Sequence, residues 1–152
     1  MRKILIVSIA LALLLSVGSL AATKKPLCIV SNFETDGGAS KTLSESTARL
    51  LMTAITYVGD YKVVSFKKQA KAMESLNKKK GDKISSSAAL ELAALVEADV
   101  VVIGKVSKNG KEYDVSVKFL DGETGDVIKS GSSSRKNRSG ISKSIDEILG
   151  LT

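Results

Sequence analysis

Hydrophobic residues form one long run at the amino terminus and short periodic segments after it, and the long run defines the first element. Ile4 to Val17 is almost unbroken apolar sequence and follows the basic pair Arg2-Lys3. Ser19 and Ala21 then supply small residues at the −3 and −1 positions of a cleavage site. The run is shorter than the roughly 20 residues that cross a bilayer. Residues 1–21 are therefore predicted to be a secretory signal peptide that is cleaved on export.

Segments in which apolar residues recur every three or four positions predict four helices in the remaining chain. They cover residues 42–58, 67–76, 88–97 and 141–149. Thr42 and Glu45 match a T-x-x-E capping box at the start of the first helix, and Gly59 ends that helix. Ser85 to Ser87 offer N-cap oxygens to the third helix.

Apolar and alternating segments predict five strands. They cover residues 27–33, 61–66, 100–106, 113–120 and 126–130. Val100 to Val106 is the most apolar of them, as expected of a strand covered on both faces, so we expect it at the centre of the sheet. Asn109-Gly110 is a strong hairpin signal between this strand and the next.

The resulting order of elements is β-α-β-α-α-β-β-β-α. It predicts a single α/β (α+β) domain over residues 22–152, with a mixed sheet, an antiparallel carboxyl-terminal meander and helices packed against the sheet. No internal repeat or interdomain linker interrupts the pattern. From Ser132 the composition shifts to Ser, Arg and Lys, and we expect residues 131–140 to be flexible.

The exported part of the chain carries a moderate positive charge. The full sequence has 152 residues, with 23 Lys and Arg against 16 Asp and Glu. Cleavage after Ala21 removes two basic residues and leaves a net charge of +5 on 131 residues, enough for one domain. Basic and acidic residues are interspersed, which favours a soluble surface. Weak attraction to anionic lipid, cell-wall polymer or an acidic partner is the alternative.

The chain has one cysteine and no histidine. Cys28 lies in the apolar stretch Leu27 to Val30, which favours a buried thiol, whereas lipidation would need small residues in place of Lys24 to Leu27. An intermolecular disulfide stays possible if the thiol is exposed. The absence of histidine excludes Ser-His and Cys-His catalytic pairs and His-ligated zinc.

Two motifs match known binding signatures only in part. Thr35 to Thr42 opens into a helix as a phosphate-binding loop does, but Thr35 and Ser40 stand where that loop needs glycine. Ser65 to Lys68 and Ser75 to Lys78 match S-x-x-K of penicillin-recognising enzymes, yet the S-D-N and K-T-G companions are missing. An exported protein also has no supply of ATP. We therefore predict a helix-entry loop and two chance matches.

Charged residues form one acidic cluster and two basic runs. Asp121, Glu123 and Asp126 depart from the order of an EF-hand calcium loop, and the glycines among them favour a hairpin turn over a metal site. The basic runs 78–83 and 135–138 lack interleaved aromatics, which favours solvated loops, with docking of an acidic partner as the alternative. We expect no nucleic-acid partner and predict no catalytic, cofactor-binding or metal-ligating residue.

The stretch from Leu90 to Ile128 carries motifs of a known family. A helix ends in Ala98-Asp99, a buried strand contains Gly104, and a hairpin leads to D-x-x-T-G at Asp121 to Gly125. Ile29 to Glu34 matches the family's first strand, although the proline of that strand is absent. These features resemble the exported α/β domain shared by the TolB amino-terminal domain, CsgG-type curli secretion components and LpoB-type activators of cell-wall synthases.

The resemblance implies a non-enzymatic accessory or interaction module of the cell envelope in a double-membrane bacterium. It transfers no functional residue. CsgG-type pore formers add a lipid anchor and long amphipathic hairpins, and LpoB-type proteins add a lipid and a long linker. We expect none of these additions in this chain.

The combined expectation is a periplasmic protein that needs no cofactor and binds another envelope protein. We expect it to be neither lipidated nor stably inserted in the membrane after signal cleavage. Its docking surface would be an exposed sheet edge or the basic region from Lys67 to Lys83. Two alternatives stay open. One is a subunit of a homo-oligomeric envelope or secretion assembly, and the other is a small envelope enzyme using carboxylates such as Asp121, Glu123 or Asp126.

Overall fold

The computed structural model describes residues 23–151. The predicted signal peptide, residues 1–21, lies outside the described residues and stays a prediction. Within residues 23–151 the chain forms six strands and four α-helices, with a 3-10 turn at Arg138–Gly140. The strands are β1 Leu27–Val30, β2 Glu34–Asp36, β3 Lys62–Val63, β4 Val100–Asn109, β5 Glu112–Asp121 and β6 Val127–Arg135. The helices are α1 Lys41–Val58, α2 Phe66–Ser75, α3 Ser86–Val96 and α4 Ile141–Leu149.

All six strands belong to one mixed sheet. Its strand order is β3-β1-β4-β5-β6, and β2 pairs with β4 beyond the end of β1. Strand β1 is parallel to both β3 and β4, whereas β4, β5 and β6 form an antiparallel meander. The predicted fold class is therefore confirmed, and β4 occupies the central position that its apolar sequence predicts.

Helices cover both faces of the sheet because successive strand residues point to opposite sides. Cys28 and Val30 face a core that includes α1 and α4. Ile29, between them, faces a second core built with α2 and α3. The same alternation places Val102 in the first core and Val101 in the second. Both faces of the central strands are thus buried, which explains why the apolar run of β4 has no polar alternation.

Gly104 allows the Phe33 side chain to lie directly against β4. Phe33 is fully buried, and a Cβ atom on Gly104 would overlap its ring carbons. The ring therefore fills space that the missing side chain leaves open. This contact fixes the chain as it passes from β1 to β2.

The first two predicted strands are longer than the observed ones. The predicted strand 27–33 ends at Val30, and the chain resumes pairing with β4 as the separate strand β2. The predicted strand 61–66 is reduced to Lys62–Val63, because Ser65 caps α2 and the helix begins at Phe66. The predicted boundaries were wrong at these positions, since polar Asn32 and the capping serine interrupt the strands.

The predicted capping box at Thr42 and Glu45 is also wrong. Helix α1 begins at Lys41, and the side chain of Ser40 accepts a hydrogen bond from the Leu43 amide at 3.2 Å. The hydroxyl of Ser40 is placed one turn ahead of Leu43, as an N-cap requires. Glu45 is consequently free to form ion pairs away from the helix start. At α3, Ser85 acts as the predicted N-cap.

The predicted hairpin between β4 and β5 is confirmed, but its turn lies one residue later. Asn109 pairs with Glu112, so Gly110 and Lys111 form the two-residue loop. Gly110 has a φ of 63°, a left-handed conformation that glycine adopts without strain. Asn109 ends β4 and donates from its side chain to Asp114 at 2.8 Å.

Strand β6 extends to Arg135, beyond the predicted end at Ser130. The Ser133 hydroxyl donates to Glu147 of α4 at 2.6 Å, and the Arg135 guanidinium contacts the same carboxylate at 2.5 Å. Polar residues can continue the strand because β5 satisfies their backbone, and Glu147 of α4 satisfies the side chains of Ser133 and Arg135. The expected flexibility of residues 131–140 is not tested by these contacts and stays a prediction.

Cys28 is a buried thiol, which confirms that interpretation of its apolar surroundings. The residue has no exposed surface and lies between β3 and β4. Burial raises the pKa of the Cys28 thiol to about 12, because the thiolate would be formed in an apolar environment. The thiol is therefore not available for an intermolecular disulfide in the folded protein.

Candidate ligand-binding crevice

The parallel part of the sheet creates a crevice at the carboxyl ends of β1 and β3. The chain leaves β1 toward α1 on one face of the sheet and leaves β3 toward α2 on the other face. Neighbouring parallel strands whose connections diverge in this way form a switch point, where α/β proteins commonly bind ligands. A cavity of about 580 Å³ opens there. We call it the switch-point cavity.

The switch-point cavity combines an apolar wall with a basic border. The apolar wall comes from Phe66, Ala70 and Met73 of α2, and the cavity is also lined by polar, basic and acidic side chains. These are Asn32, Gln69, Asn77, Lys41, Lys78, Lys79, Lys80 and Glu74. Four lysines against one glutamate give the cavity a positive potential, which favours a ligand with negative charge.

Helix α2 and the residues after it position the wall and the lysines together. Ser65 caps the helix by accepting a hydrogen bond from the Lys68 amide at 3.4 Å. Asn77, just beyond the helix, has a φ of 52°, a left-handed conformation that asparagine tolerates. The Lys78 amide then donates back to the Met73 carbonyl at 3.0 Å. The chain therefore turns at Asn77 and directs residues 78–80 along the cavity.

The segment that carries Lys78, Lys79 and Lys80 is held at its far end. The Gly81 amide donates to the Ser44 hydroxyl at 3.2 Å, and the Gly81 carbonyl accepts from the Thr35 amide at 3.1 Å. Asp82 accepts a hydrogen bond from the Lys79 amide at 2.7 Å. The predicted exposed loop 78–83 is exposed at Lys79, Lys80 and Lys83 and half-buried at Lys78, and its backbone is tied to α1 and β2.

Two helix amino termini add to the positive character of the cavity. Lys41 and Phe66 are the first residues of α1 and α2, and both line the cavity. Neither helix has an acidic residue in its first turn to neutralise the partial charge of its free amides. The helix amino termini and the lysines therefore both make the potential of the cavity more positive.

One carboxylate beside the cavity links α1 to the lysine segment. Glu45 forms ion pairs with Lys80 and with Arg49, the latter at 3.0 Å. The hydrogen bonds from Lys80 and then from Arg49 hold the pKa of Glu45 below its usual value. The Arg49 guanidinium lies 3.4 Å from the centre of the Phe66 ring. Within the described residues, Lys41, Lys78 and Lys79 form no ion pair, so these three cations are available to a ligand.

Gln69 contributes a buried polar group that the folded chain does not satisfy. Its side chain is 1% exposed, and its Nε2 donates to the Asn32 Oδ1 at 3.1 Å. Its Oε1 has no hydrogen-bond partner among residues 23–151. An unpaired buried acceptor costs about 1–3 kcal/mol, so a donor that reaches Gln69 Oε1 would recover that free energy.

The sequence did not identify Gln69 as a site residue. It stands in a lysine-rich helix and is separated from Asn32 by 37 residues, so only the parallel pairing of β1 and β3 brings the two amides together. The one available signal was Asn32, a polar residue placed directly after an apolar strand.

The carboxylate cluster lies elsewhere, in the turn between β5 and β6. Asp121 Oδ1 accepts from the amides of Glu123 at 2.9 Å and Thr124 at 2.8 Å. The Thr124 amide and then the Glu123 amide lower the pKa of Asp121. Glu123 and Asp126 are exposed. The interpretation of this segment as a turn is confirmed. The alternative of an enzyme based on these carboxylates would need two of them close together in a buried pocket, and the exposed turn does not support it.

Serines of the phosphate-loop-like segment and of the two S-x-x-K matches form hydrogen bonds within or next to helices. Ser40, within Thr35 to Thr42, caps α1, as expected of a helix-entry loop. Ser65 caps α2, and the Ser75 hydroxyl donates to the Lys71 carbonyl at 2.9 Å. Among residues 23–151, no group of three potential metal-ligating side chains converges.

A second surface is apolar and lies between α1 and α4. Leu50 and Leu151 are partly exposed there, and Tyr57 is 83% exposed. These side chains border an open groove of about 420 Å³. Val127 and Ile128 are also exposed, on β6, whose outer edge is unpaired within the described residues. We call the first of these regions the α1/α4 groove and the second the β6 edge.

The fold is similar to that of several solved bacterial proteins. The LpoB C-terminal domain from Salmonella enterica is similar over 79% of this chain and 89% of that chain, with 20% identity and a TM-score of 0.59. Lipoprotein GNA1162 from Neisseria meningitidis is similar over 83% and 96%, with 13% identity and a TM-score of 0.63. A PelC dodecamer from Paraburkholderia phytofirmans is similar over 83% and 85%, with 19% identity and a TM-score of 0.54.

The chain belongs to the FlgO protein family, whose model matches residues 8–139. No curated protein matched the sequence. The predicted resemblance is confirmed in its LpoB part, as a likeness of fold, while the CsgG-type part stays a prediction. In the part of the chain that the structure describes, no helix has both the length and the apolar character needed to cross a membrane.

Proposed function

We propose that this FlgO-family protein is a non-enzymatic interaction module of the cell envelope that works in the periplasm by binding another envelope protein. The observation that carries the proposal is the switch-point cavity, where three lysines without ion pairs border an apolar wall. Such a surface is incomplete without an acidic partner. The predicted signal peptide and the fold shared with LpoB and a neisserial lipoprotein support the envelope location.

The proposal selects between the two docking surfaces predicted from the sequence. The basic region from Lys67 to Lys83 contains α2 and the lysine segment, and both line the switch-point cavity. The β6 edge has the exposed apolar residues Val127 and Ile128, but it also carries the charged residues Lys129 and Arg135. Charged residues on an edge strand discourage strand addition. We therefore place the partner at the cavity.

Site-specific crosslinking in intact cells tests the proposal. A photo-reactive amino acid at position 79, beside the cavity, should yield an adduct with another envelope protein. The same amino acid at position 111, which is also exposed and lies in the β4–β5 turn, is the matched control and should not yield that adduct. Failure to form an adduct at 79 above background, or equal adducts at both positions, would contradict the proposed docking site.

Export and processing have a separate test. The protein recovered from the periplasmic fraction should begin at Ala22 and carry no lipid, which intact-mass measurement would show. Full-length protein in the cytosol, or a lipid-sized mass increase, would contradict this part of the proposal.

Self-association is the second candidate function. It is favoured by the exposed Tyr57 and Leu50 of the α1/α4 groove and by the fold shared with PelC, which forms a dodecamer. Exposed apolar side chains grouped on one surface are typical of interfaces. Light scattering during size-exclusion chromatography of the processed protein separates the two candidates. A monomer mass at all concentrations would rule out stable self-assembly.

A further inference from the structure

The unpaired Gln69 acceptor and the lysine border together specify what the switch-point cavity binds. We infer that its occupant is an acidic segment of the partner that inserts an aromatic side chain bearing a hydrogen-bond donor, tyrosine or tryptophan. The inference rests on the proposed function and adds the chemistry of the bound segment. It rests on three features of the cavity, which are its apolar wall, its buried acceptor and its unpaired cations.

The apolar wall calls for an apolar body on the ligand. Met73 is 2% exposed at the wall, and Phe66 lies beside it at the start of α2. Arg49 covers part of the Phe66 ring. Removal of an aromatic ring from water against such a wall stabilises binding. A small hydrophilic anion would leave this wall in contact with water.

The buried acceptor calls for a donor on the same ligand. Gln69 Oε1 has no partner in the described chain and cannot be satisfied by a carboxylate, which only accepts hydrogen bonds. A phenol O–H or an indole N–H ends an apolar body with a donor, as Gln69 requires. Phenylalanine would fill the same space and leave the acceptor unpaired. The buried acceptor therefore favours tyrosine or tryptophan over other apolar side chains.

The unpaired lysines call for negative charge on either side of the inserted ring. Lys78 and Lys79 follow one another along the border, and Lys41 lies at the start of α1. Cations distributed over different elements match several carboxylates on a peptide better than one compact anion. Glu74 is the single acidic side chain in the cavity lining, so repulsion of an acidic peptide is limited.

Fluorescence anisotropy with short labelled peptides tests the inference on the processed protein. The probes are Asp-Glu-Tyr-Glu-Asp, the matched Asp-Glu-Phe-Glu-Asp, and Lys-Lys-Tyr-Lys-Lys. The tyrosine peptide should bind about tenfold more tightly than the phenylalanine peptide, because only its hydroxyl satisfies Gln69 Oε1. The basic peptide should not bind measurably. In the Gln69→Leu variant the two acidic peptides should bind within about twofold of each other.

The unmodified protein decides the inference even if Gln69→Leu fails to fold, which circular dichroism would reveal. Equal affinity for the tyrosine and phenylalanine peptides overturns the role of Gln69, and binding of the basic peptide overturns the role of the lysines. Either result leaves the crosslink at position 79 unaffected. Loss of that crosslink, in contrast, refutes the docking site itself, so the two failures are distinguishable.

Discussion

The acidic turn after β5 and the switch-point cavity show how differently two polar clusters can be used. In the turn, Asp121 is held by two backbone amides of its own loop. In the cavity, Lys78, Lys79 and Gln69 Oε1 have charges or hydrogen-bonding capacity that the described chain does not use. The turn is internally complete, whereas the cavity is not. The proposed docking site therefore rests on cations without ion pairs and one unpaired acceptor that line the same cavity, and not on charges that are closely spaced in sequence.

The largest expected effect is on binding at the cavity. The double substitution Lys78→Glu and Lys79→Glu should weaken binding of the acidic tyrosine peptide by at least about tenfold, because attraction becomes repulsion. Fluorescence anisotropy measures the change.

The matched control reverses two exposed lysines away from the cavity. The double substitution Lys111→Glu and Lys136→Glu changes net charge equally and should leave affinity within about twofold. Similar losses in both variants would mean that net charge, not the cavity, governs binding.

A smaller effect is expected at the acidic turn, and on stability instead of binding. Asp121→Ala removes the acceptor of the Glu123 and Thr124 amides and should lower the urea midpoint of unfolding. Asp126→Ala is the control, because its carboxylate accepts no hydrogen bond within the described residues and should leave the midpoint unchanged. Peptide affinity should be the same in both variants. A loss of affinity in Asp121→Ala would remove the distinction between the two regions.

The smallest effect concerns pH. The pKa of Glu45 is lowered in the folded protein, chiefly by Lys80 and then by Arg49, from an ordinary value of 4.5. Its ionised form therefore stabilises the fold above that value, and this contribution is lost as pH falls through the lowered pKa. In urea unfolding between pH 7 and pH 3, Glu45→Gln should show a smaller loss of stability in acid than the unmodified protein.

Glu112→Gln is the control for this pH effect. Glu112 is exposed on β5 and forms no ion pair among residues 23–151. The Glu112→Gln variant should lose as much stability between pH 7 and pH 3 as the unmodified protein does. An identical response in both variants would show that the Glu45 contacts do not contribute to stability.

The local sequence predicted the fold well where a segment is apolar throughout or alternates regularly between apolar and polar residues. The apolar sequence from Val100 to Val106 predicted the central position of β4, and the alternation after Tyr113 predicted the half-buried strand β5. The predicted strand bounds were wrong where polar side chains occur in segments that nevertheless pair with a neighbouring strand. Strand β6 continues through serines because β5 and Glu147 satisfy them, and β2 was missed because it follows a short break after β1.

The candidate site was less predictable, because it is assembled from residues distant in sequence. The basic region from Lys67 to Lys83 was a predicted docking surface, and its lysines do border the cavity. The pairing of Asn32 with Gln69 depends on the positions of β1 and α2, which no local pattern encodes. The unpaired Oε1 is a property of the folded chain, because it depends on every donor that packs around Gln69.

The buried position of Cys28 makes the chain convenient for site-directed labelling. Its thiol is buried in the core between the sheet and helices α1 and α4, and the sequence has no other cysteine. A maleimide reagent added to the folded protein should leave position 28 unmodified. A spin label or fluorophore coupled through Lys79→Cys would therefore report from one known point beside the cavity, without first replacing the native thiol.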